Sequence, residues 1–429
     1  MRSIQVLVVG GGASGMVAAI AAARNGARVL VLEKKKRPGR KLLATGNGRC
    51  NFTNRVQERN CYRSSDMDLP MRVIQKFGWE DSVRFFDEIG VLARNREGYY
   101  YPASNQAVTV LRALERELVR LGVEIHTEEA VADVERRSQN GRDAFFVKTD
   151  KGSYLAKKLI LCTGGMAAPV YGSTGDGYAC ATGLGHHVVP PVPALTSLVL
   201  DGNFMKAWSG VRIQGKVSLY NHKDRLLCED IGEIQMVAHG ISGIPVFQIS
   251  HYAARELAGG RSVFLSLDGM PDYSRDWILD ALLKRQKHNG EQSMGDLLGG
   301  MMPDKLAGVY LKQTKIVVSE RASEIKKGRL EDLATIIKQM KIPVKAVSDF
   351  EKAQVTAGGV YLSEVNPDTM ESEICKGLYL AGELLDVDGI CGGYNLQWAW
   401  ATGYLAGMGA SSMLDTNIAL CAESSTEMR

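Results

Sequence analysis

A run of small residues near the N-terminus has the spacing that binds the phosphates of a dinucleotide. Residues 10–15 read GGGASG, which fits G-x-G-x-x-G with glycines at Gly10, Gly12 and Gly15. The first glycine of this pattern makes a tight turn, the second lets the backbone approach a pyrophosphate, and the third lets a helix pack close to a strand. The helix that follows offers unpaired N–H groups and the positive end of its dipole to the phosphates.

The residues around this turn have the pattern of a βαβ unit. Residues 4–9 form a short β-branched run typical of a buried parallel strand, and residues 16–25 are alanine-rich and helical. A second strand over 29–32 leads to Glu33, whose carboxylate can accept hydrogen bonds from the adenosine ribose. An acid at this position disfavours a 2′-phosphate, so NADP is not expected here. Because glycines interrupt the apolar stretch, we interpret it as strand, turn and helix rather than as a signal peptide.

Three further glycine-rich segments distinguish FAD from NAD. Residues 39–54 read GRKLLATGNGRCNFTN, a segment that in flavoproteins wraps the ribityl chain and the flavin edge; the alternative is a flexible loop. Residues 163–165 (TGG) end a strand and let the backbone pass close to a cofactor. Residues 172–177 (GSTGDG) lead into a small-residue helix that Asp176 could cap. The basic run 34–37 is interpreted as solvated surface.

A second glycine turn lies near the C-terminus, in the sequence GLYLAGELLDVDGICGGYNLQWAWATG over 377–403. A strand is predicted to end at Ala381, followed by a turn at Gly382 and Glu383. Glycines at 389–393 then open a helix at about Tyr394. The carboxylate of Glu383, at the end of this strand, is suited to accept hydrogen bonds from the ribityl or pyrophosphate hydroxyls. The helix N-terminus would stabilise negative charge on the flavin pyrimidine through its dipole.

Taken together, GGGASG, GRKLLATGNGRCN, CTGG…YGSTGDGY and the C-terminal motif resemble the bacterial YhiN/BaiN-type flavoproteins over nearly the whole chain. The resemblance implies an α/β fold with a discontinuous Rossmann-type FAD-binding domain, interrupted by β-barrel-like and helical domains. It also implies reduction of carbon–carbon double bonds in 3-oxo-4,6-diene steroids, or oxidation of aminoacetone. The GSTGDG segment is similar to the flavin domain of fumarate reductases, but their substrate-binding His/Arg set is not found, so that function is not carried over.

The chain is accordingly predicted to divide into 1–191 (FAD-binding, first segment), 192–272 (β-rich), 273–345 (helical) and 346–429 (FAD-binding, second segment). The dense prolines over 190–193 are expected to end regular structure at the first crossing. Three residues are proposed as catalytic: His239 as a proton donor, with Tyr394 and Arg49 contacting substrate or flavin. A structural histidine is the alternative for His239, and binding of a phosphate or a loop carbonyl is the alternative for Arg49. The predicted cofactor-binding residues are Gly10, Gly12, Ala13, Ser14, Gly15, Glu33, Lys34, Lys41, Leu42, Asn47, Gly48, Arg49, Cys50, Asn51, Val131, Thr163, Gly164, Gly165, Asp176, Gly382, Glu383, Asp388, Gly393, Tyr394, Asn395 and Leu396.

Bulk properties exclude several other classes. A net charge of +4 over 429 residues does not by itself support nucleic-acid binding. The eight cysteines form no Cys-x-x-Cys pair, so neither a metal site nor a redox dithiol is predicted, and free thiols in a cytoplasmic protein are expected. Cys50 and Cys391 are interpreted as packing residues, with a redox pair as the alternative. The aromatic run 99–101 is interpreted as core packing, with a pocket lining as the alternative.

Three functions therefore stand side by side. The leading hypothesis is a reductase that passes a hydride from FAD to an activated C=C of an enone or steroid-like small molecule, with NAD(P)H as a transient donor. No second G-x-G-x-x-G is present, so a nicotinamide would have no Rossmann site of its own. The second is an amine oxidase that uses oxygen, and the third is an RNA-associated flavoprotein. Acids are interleaved among the lysines of the helical part, which disfavours RNA there. No membrane partner is expected, and the sequence makes no prediction of oligomeric state.

Overall fold

The structure is a computed structural model that describes residues 2–139 and 142–412. The chain folds into two compact units. The first comprises Met1–Pro191 together with Val355–Arg429, and the second is Val192–Gln354.

The first chain segment carries most of the strands of the first unit. Its strands are β1 (Arg2–Val9), β2 (Val29–Glu33), β3 (Thr53–Asn54), β4 (Tyr62–Arg63), β5 (Ala93–Arg96), β6 (Tyr99–Pro102), β7 (Glu124–Thr127), β8 (Val131–Gln139), β9 (Arg142–Thr149), β10 (Ser153–Leu161) and β11 (Val188–Ala194). Its helices are α1 (Ala13–Arg24), α2 (Arg40–Ala44), α3 (Leu69–Lys76), α4 (Trp79–Glu88), α5 (Ala107–Arg120) and α6 (Asp176–Gly183).

The second unit consists of a barrel and helices. Its strands are β12 (Leu198–Leu200), β13 (Arg212–Asn221), β14 (Leu226–Val237), β15 (Gly240–Ser242), β16 (Val263–Asp268) and β17 (Met340–Val347). Its helices are α7 (Met205–Trp208), α8 (Ile244–Ala258), α9 (Arg275–His288), α10 (Met294–Gly299), α11 (Asp304–Gln313) and α12 (Lys327–Lys338). The chain then returns to the first unit with β18 (Val355–Val360), β19 (Leu378–Leu380), β20 (Asp388–Gly389) and α13 (Tyr394–Ser411).

The main sheet of the first unit has the order β7-β2-β1-β10-β9-β8, with β19 also paired to β10. Strands β7, β2, β1, β10 and β19 are parallel, so their carboxyl ends lie at one edge. Strand β10 pairs with antiparallel β9 along its first half and with β19 along its second half. The first glycine-rich turn follows β1, the turn at Gly382 follows β19, and the glycines that open α13 follow β20. Ligands of open α/β sheets bind outside this edge.

The second unit is built on a closed barrel of order β12-β15-β14-β13-β16-β17. Its last strand, β17, comes after helices α9–α12, and the barrel side chains share one hydrophobic core with these helices. The structure therefore joins the β-rich and helical parts into a single unit that ends at Gln354, whereas the sequence placed the last boundary at 345/346.

The sequence suggested that the prolines over 190–193 end regular structure. That prediction is wrong, because they lie within β11. That strand belongs to a two-stranded sheet, so it is an edge strand. An edge strand leaves some N–H positions without a ladder partner, and proline is tolerated there.

Candidate functional site

The first glycine turn is shaped by three glycines that have different roles. Gly10 has φ +102°, and a Cβ added to it would lie 2.4 Å from the carbonyl oxygen of Cys162. A Cβ on Gly15 would lie 1.9 Å from the oxygen of Gly10, so only glycine lets α1 start this close to β1. A Cβ on Gly12 would meet nothing within 4 Å. The open space needed by a pyrophosphate therefore lies at Gly12, as G-x-G-x-x-G predicts.

The carboxylate of Glu33 lies across the same turn. Its Oε2 accepts a hydrogen bond from the N–H of Gly11 at 2.8 Å, and its Oε1 accepts one from the N–H of Lys35 at 2.8 Å. Helix α1 begins at Ala13 without a side-chain cap, and Ser14 is buried in its first turn. An uncapped helix N-terminus beside a fixed carboxylate fits the diphosphate and ribose of an ADP group.

Close packing of α1 against α13 brings the first glycine turn next to Gly382 and the body of α13. A Cβ on Gly403 would lie 2.4 Å from the carbonyl oxygen of Ser14, and one on Gly407 would lie 2.3 Å from that of Ala18. A Cβ on Gly382 would lie 2.5 Å from Ser14 Oγ. The sequence analysis missed this contact, although the G-x-x-x-G spacing of Gly403 and Gly407 facing an alanine-rich helix could have indicated it.

The acid of the second turn is held by neighbouring groups. Glu383 Oε2 accepts a hydrogen bond from Lys41 Nζ at 2.8 Å, and Oε1 accepts one from the N–H of Thr356 at 2.8 Å. The N–H of Gly382 donates to Thr402 Oγ1 at 2.9 Å. The structure thus joins the predicted residues Lys41 and Glu383 to each other, through a half-exposed ion pair. Thr356 was not identified from the sequence.

The loop before α13 is fixed by the side chain of Asn395. Its Oδ1 accepts from the N–H of Gly389 and its Nδ2 donates to the oxygen of Gly389, both at 2.8 Å. Helix α13 begins after Gly393, which has φ +96° and provides no side-chain cap. The buried Asn51 Oδ1 accepts no hydrogen bond within the described residues, and it would lie 2.9 Å from a Cβ on Gly393. A buried acceptor that lacks a donor, beside an uncapped helix start, fits a ligand that carries an N–H group.

A buried amide supports the first turn of α13. Gln397 Oε1 accepts from Thr53 Oγ1 at 2.6 Å and from Ser82 Oγ at 2.8 Å, and its Nε2 donates to the oxygen of Phe77 at 2.8 Å. Sequence reasoning missed Gln397 because its partners lie more than 300 positions away. Trp398 and Trp400 of the same helix are also fully buried.

The segment over 163–177 is ordered around α6. The sequence suggested that Asp176 caps this helix, but it does not. Gly175 precedes the helix, and Asp176 is its first residue. The carboxylate of Asp176 instead forms an ion pair with Lys34 and accepts from Thr174 Oγ1 at 2.8 Å. A Cβ on Gly177 would overlap Thr163 Oγ1. Gly164 has φ +72°, and a Cβ on Gly165 would lie 2.4 Å from Thr356 Oγ1, so both need glycine.

The loop over 39–54 has a defined conformation formed by α2 and a 3₁₀ turn. Leu42 is buried, whereas Asn47, Gly48 and Arg49 are exposed. Asn47 has φ +54°. Cys50 is fully buried, and burial raises the pKa of its thiol to about 12. That pKa favours packing over redox chemistry.

The three catalytic candidates lie in different surroundings. Tyr394 is buried at the start of α13, edge-on to Tyr62 with ring centroids 5.8 Å apart, and burial raises the pKa of its phenol. Arg49 lies in the exposed loop described above. His239 is exposed and lies in the second unit, in the turn between β14 and β15.

The remaining predicted residues lie in the first unit. Asp388 is buried in β20, with its carboxylate 3.5 Å from the guanidinium of Arg63. Val131 begins β8, two positions after Glu129, whose N–H donates to the oxygen of Glu33. Leu396 is half-buried in the first turn of α13.

Two kinds of feature are absent from the described residues. No cluster of three His, Cys, Asp or Glu residues there could hold a metal ion. None of the described helices has both the length and the apolar character to cross a membrane. No cysteine in the described part of the chain takes part in a disulfide bond.

Comparison with known proteins agrees with this architecture. Residues 4–409 match the HI0933-like protein Rossmann domain. The chain is 43% identical over 406 residues to the 3-dehydro-bile acid delta(4,6)-reductase of Clostridium scindens, covering 94% of this chain and 98% of that protein. It is 28% identical over 407 residues to the ribosomal RNA dihydrouridine synthase of Haemophilus influenzae, covering 94% and 98%.

The fold is also that of solved flavoenzymes. The open conformation of a flavocytochrome c3 fumarate reductase superposes with a TM-score of 0.51 at 16% identity, covering 96% of this chain and 78% of that chain. The resemblance to the YhiN/BaiN-type flavoproteins is confirmed by the match to the bile acid reductase. The chain therefore belongs to the HI0933-like protein family and is an oxidoreductase built on a Rossmann-type FAD-binding domain.

Proposed function

We propose that this protein reduces a carbon–carbon double bond conjugated to a carbonyl, with FAD as its bound cofactor and NAD(P)H as the electron donor. The observation that carries the proposal is the contact of the first glycine turn with Gly382 and with helix α13. Ser14, in the turn that fits an ADP group, lies directly against Gly382 and Gly403, which belong to the turn and helix suited to a flavin. A dinucleotide can therefore be held at both ends within one unit.

The residues of the chain have separate roles in this proposal. Gly12 and the N-terminus of α1 would bind the diphosphate, and Glu33 the ribose. Asn51 would accept a hydrogen bond from the flavin ring. The N-terminus of α13 after Gly393 would stabilise negative charge placed there, because its first N–H groups have no side-chain cap.

FAD reduced by NAD(P)H would supply a hydride to the β-carbon of the conjugated bond, while an acid of the enzyme gives a proton to the α-carbon. The chain must therefore hold a proton donor near the substrate. Tyr394 keeps its proton at physiological pH, because a phenol has an ordinary pKa of about 10 and burial raises that of Tyr394 further. His239 is the second candidate for this donor.

A steroid-like enone is the leading substrate, since the relative with 43% identity over nearly the full chain is named for a bile acid delta(4,6) reduction. Anaerobic stopped-flow spectroscopy tests both the donor and the reaction. The proposal expects NADH or NADPH to bleach the flavin and a 3-oxo-4,6-diene steroid to restore its absorbance. Bleaching by aminoacetone, followed by rapid reoxidation with oxygen, would support an amine oxidase instead.

A uridine base in RNA is the second candidate substrate. It is favoured by the relative named as a ribosomal RNA dihydrouridine synthase, which aligns with 94% of this chain. The two relatives' names describe related chemistry, because the C5=C6 bond of uracil is also conjugated to a carbonyl. Incubation of the NADPH-reduced enzyme with RNA, followed by nucleoside mass spectrometry, distinguishes the two substrates. Uridine that gains two hydrogen atoms supports RNA, and unchanged uridine with a reduced steroid supports the leading proposal.

A further inference from the structure

A small sheet of the first unit carries arginine and tyrosine side chains on one face. Strands β5 and β6 pair antiparallel, with Arg94 opposite Tyr101 and Arg96 opposite Tyr99. Residues directly opposite each other share a face of a sheet, and so do residues two apart along a strand. All four side chains therefore lie on the same face, which we call the Arg–Tyr face.

The other side of this sheet is occupied by the protein itself. Tyr100, between the two tyrosines of the Arg–Tyr face, stacks on Trp79 with ring centroids 5.2 Å apart. Thr53, opposite Tyr100 in β3, donates to the buried Gln397. The aromatic run over 99–101 is thus divided between core packing on one face and solvent on the other, and Tyr99 is 42% exposed.

The arginines of this face are not neutralised. Arg96 lies over the ring of Tyr101, 5.2 Å from its centroid. Burial raises the pKa of Tyr101, and the positive charges of Arg96 and Arg49 oppose that rise, which places Arg49 near the same ring. Within the described residues, neither these two arginines nor Arg94 forms an ion pair with a carboxylate. Three guanidinium groups are therefore available to an anionic partner.

The Arg–Tyr face reaches the second glycine turn. Asn54 in β3 lies opposite Tyr99, and its Nδ2 donates to the oxygen of Gly392 at 3.2 Å. A Cβ on Gly392 would lie 3.1 Å from Tyr99 Cε1. A ligand spread over this face would thus have one end beside the loop that starts α13.

We propose that the Arg–Tyr face binds single-stranded RNA and leads it to the second glycine turn. Guanidinium groups bind phosphates, and exposed aromatic rings stack on bases regardless of sequence. A monoanionic small molecule would need only one of the three arginines. The lysines of the second unit are less suited, since Lys338 is paired with Asp268 at 2.7 Å and Lys327 with Glu331 at 3.8 Å.

This proposal rests on the second substrate class, but it concerns binding and can be tested without turnover. FAD-loaded protein is titrated into a fluorescently labelled, unstructured oligouridylate at several salt concentrations, and fluorescence anisotropy gives Kd. Each phosphate contact contributes about −0.7 to the slope of log affinity against log salt for single strands. The double variant Arg94→Ala/Arg96→Ala should therefore make the slope shallower by about 1.4.

Two further variants separate specific binding from general charge attraction. Tyr99→Leu keeps the charge and should weaken binding about 5- to 100-fold, the effect of losing one stacked base, without changing the slope. Arg28→Ala is the matched control, since Arg28 is exposed before β2 of the main sheet, outside the small sheet of β3, β6 and β5, and should change neither quantity.

Several results would overturn the proposal. The wild-type protein could show no salt-dependent binding, the Arg94→Ala/Arg96→Ala variant could keep the wild-type slope, or Arg28→Ala could weaken binding as much as that double variant does. Thermal melting and FAD content of each variant show whether it folds. If binding fails while the flavin is still reduced by NAD(P)H and reoxidised by an enone, only this inference is lost and the leading function stands.

Discussion

Replacement of Gly403 by alanine tests whether the contact between α1 and α13 holds the site together. The added Cβ would lie 2.4 Å from the carbonyl oxygen of Ser14, about 1 Å closer than an ordinary contact. The obstacle is backbone, which no rotamer change can move aside, so α13 must shift away from α1 by a distance of this order. Overpacking of this kind costs about 1–3 kcal/mol, against about 1 kcal/mol gained from the better helix propensity of alanine.

The larger effect is expected on the cofactor. Because Ser14 belongs to the first turn of α1 and Gly403 to the helix that follows the second glycine turn, a shift of about 1 Å separates the two ends of the site. A displacement of this size can lower the reaction rate of a preorganised site about a hundredfold. We expect Gly403→Ala to lose FAD on gel filtration and to melt at a lower temperature.

Gly308→Ala is the matched control for this experiment. Gly308 also lies inside a helix, α11, but a Cβ there would meet nothing within 4 Å. This variant should keep its FAD and gain about 0.5–1 kcal/mol of stability. If Gly403→Ala retained FAD and melted like Gly308→Ala, the proposed role of the helix contact would be refuted.

Three other predictions concern single groups. Glu33→Gln removes the charge that accepts two backbone N–H groups, so FAD affinity in a fluorescence titration should fall about tenfold or more. Glu80→Gln, at an exposed position of α4, should not change the affinity, and equal affinities of the two variants would contradict the assignment. Burial raises the pKa of the Cys50 thiol to about 12, so iodoacetamide at about pH 8 should not label Cys50 before the protein unfolds. Labelling is followed by mass spectrometry. If Cys50 were labelled as fast as the half-buried Cys391, the redox alternative would be restored. Burial lowers the pKa of His186 below 6.5, so the unfolded state takes up a proton at a higher pH than the folded state does. The free energy of urea unfolding should therefore decline as the pH falls below 6.5. A His186→Gln variant with the same decline would refute this cause.

Local patterns were sufficient to predict the elements that carry the site. Strand β1, helix α1 and strand β2 follow from a β-branched run, an alanine-rich run and the glycines between them. The glycine turn before α13 was also predicted to open a helix at about Tyr394, where the structure begins it. These features depend on residues that are neighbours in sequence, so the sequence contains their cause.

The contacts that unite the site could not be predicted in the same way. The Lys41–Glu383 ion pair joins residues 342 positions apart, and the bond from Thr53 to Gln397 spans 344 positions. The placement of Asp176 depended on Gly175, whose φ of +83° lets it precede the helix in place of an aspartate cap. The separation of Tyr99 from Tyr100 onto opposite faces required the register of β6 with its neighbours.

The central claim is that FAD is held at both ends by the two glycine turns of the first unit. The most direct test is equilibrium titration of the flavin-free protein with FAD, with ADP and FMN as competitors. We expect FAD to bind at an equimolar ratio, ADP to displace it, and FMN, which lacks the ADP half, to bind far more weakly. Equal affinity for FMN and FAD, or no flavin binding at all, would contradict it.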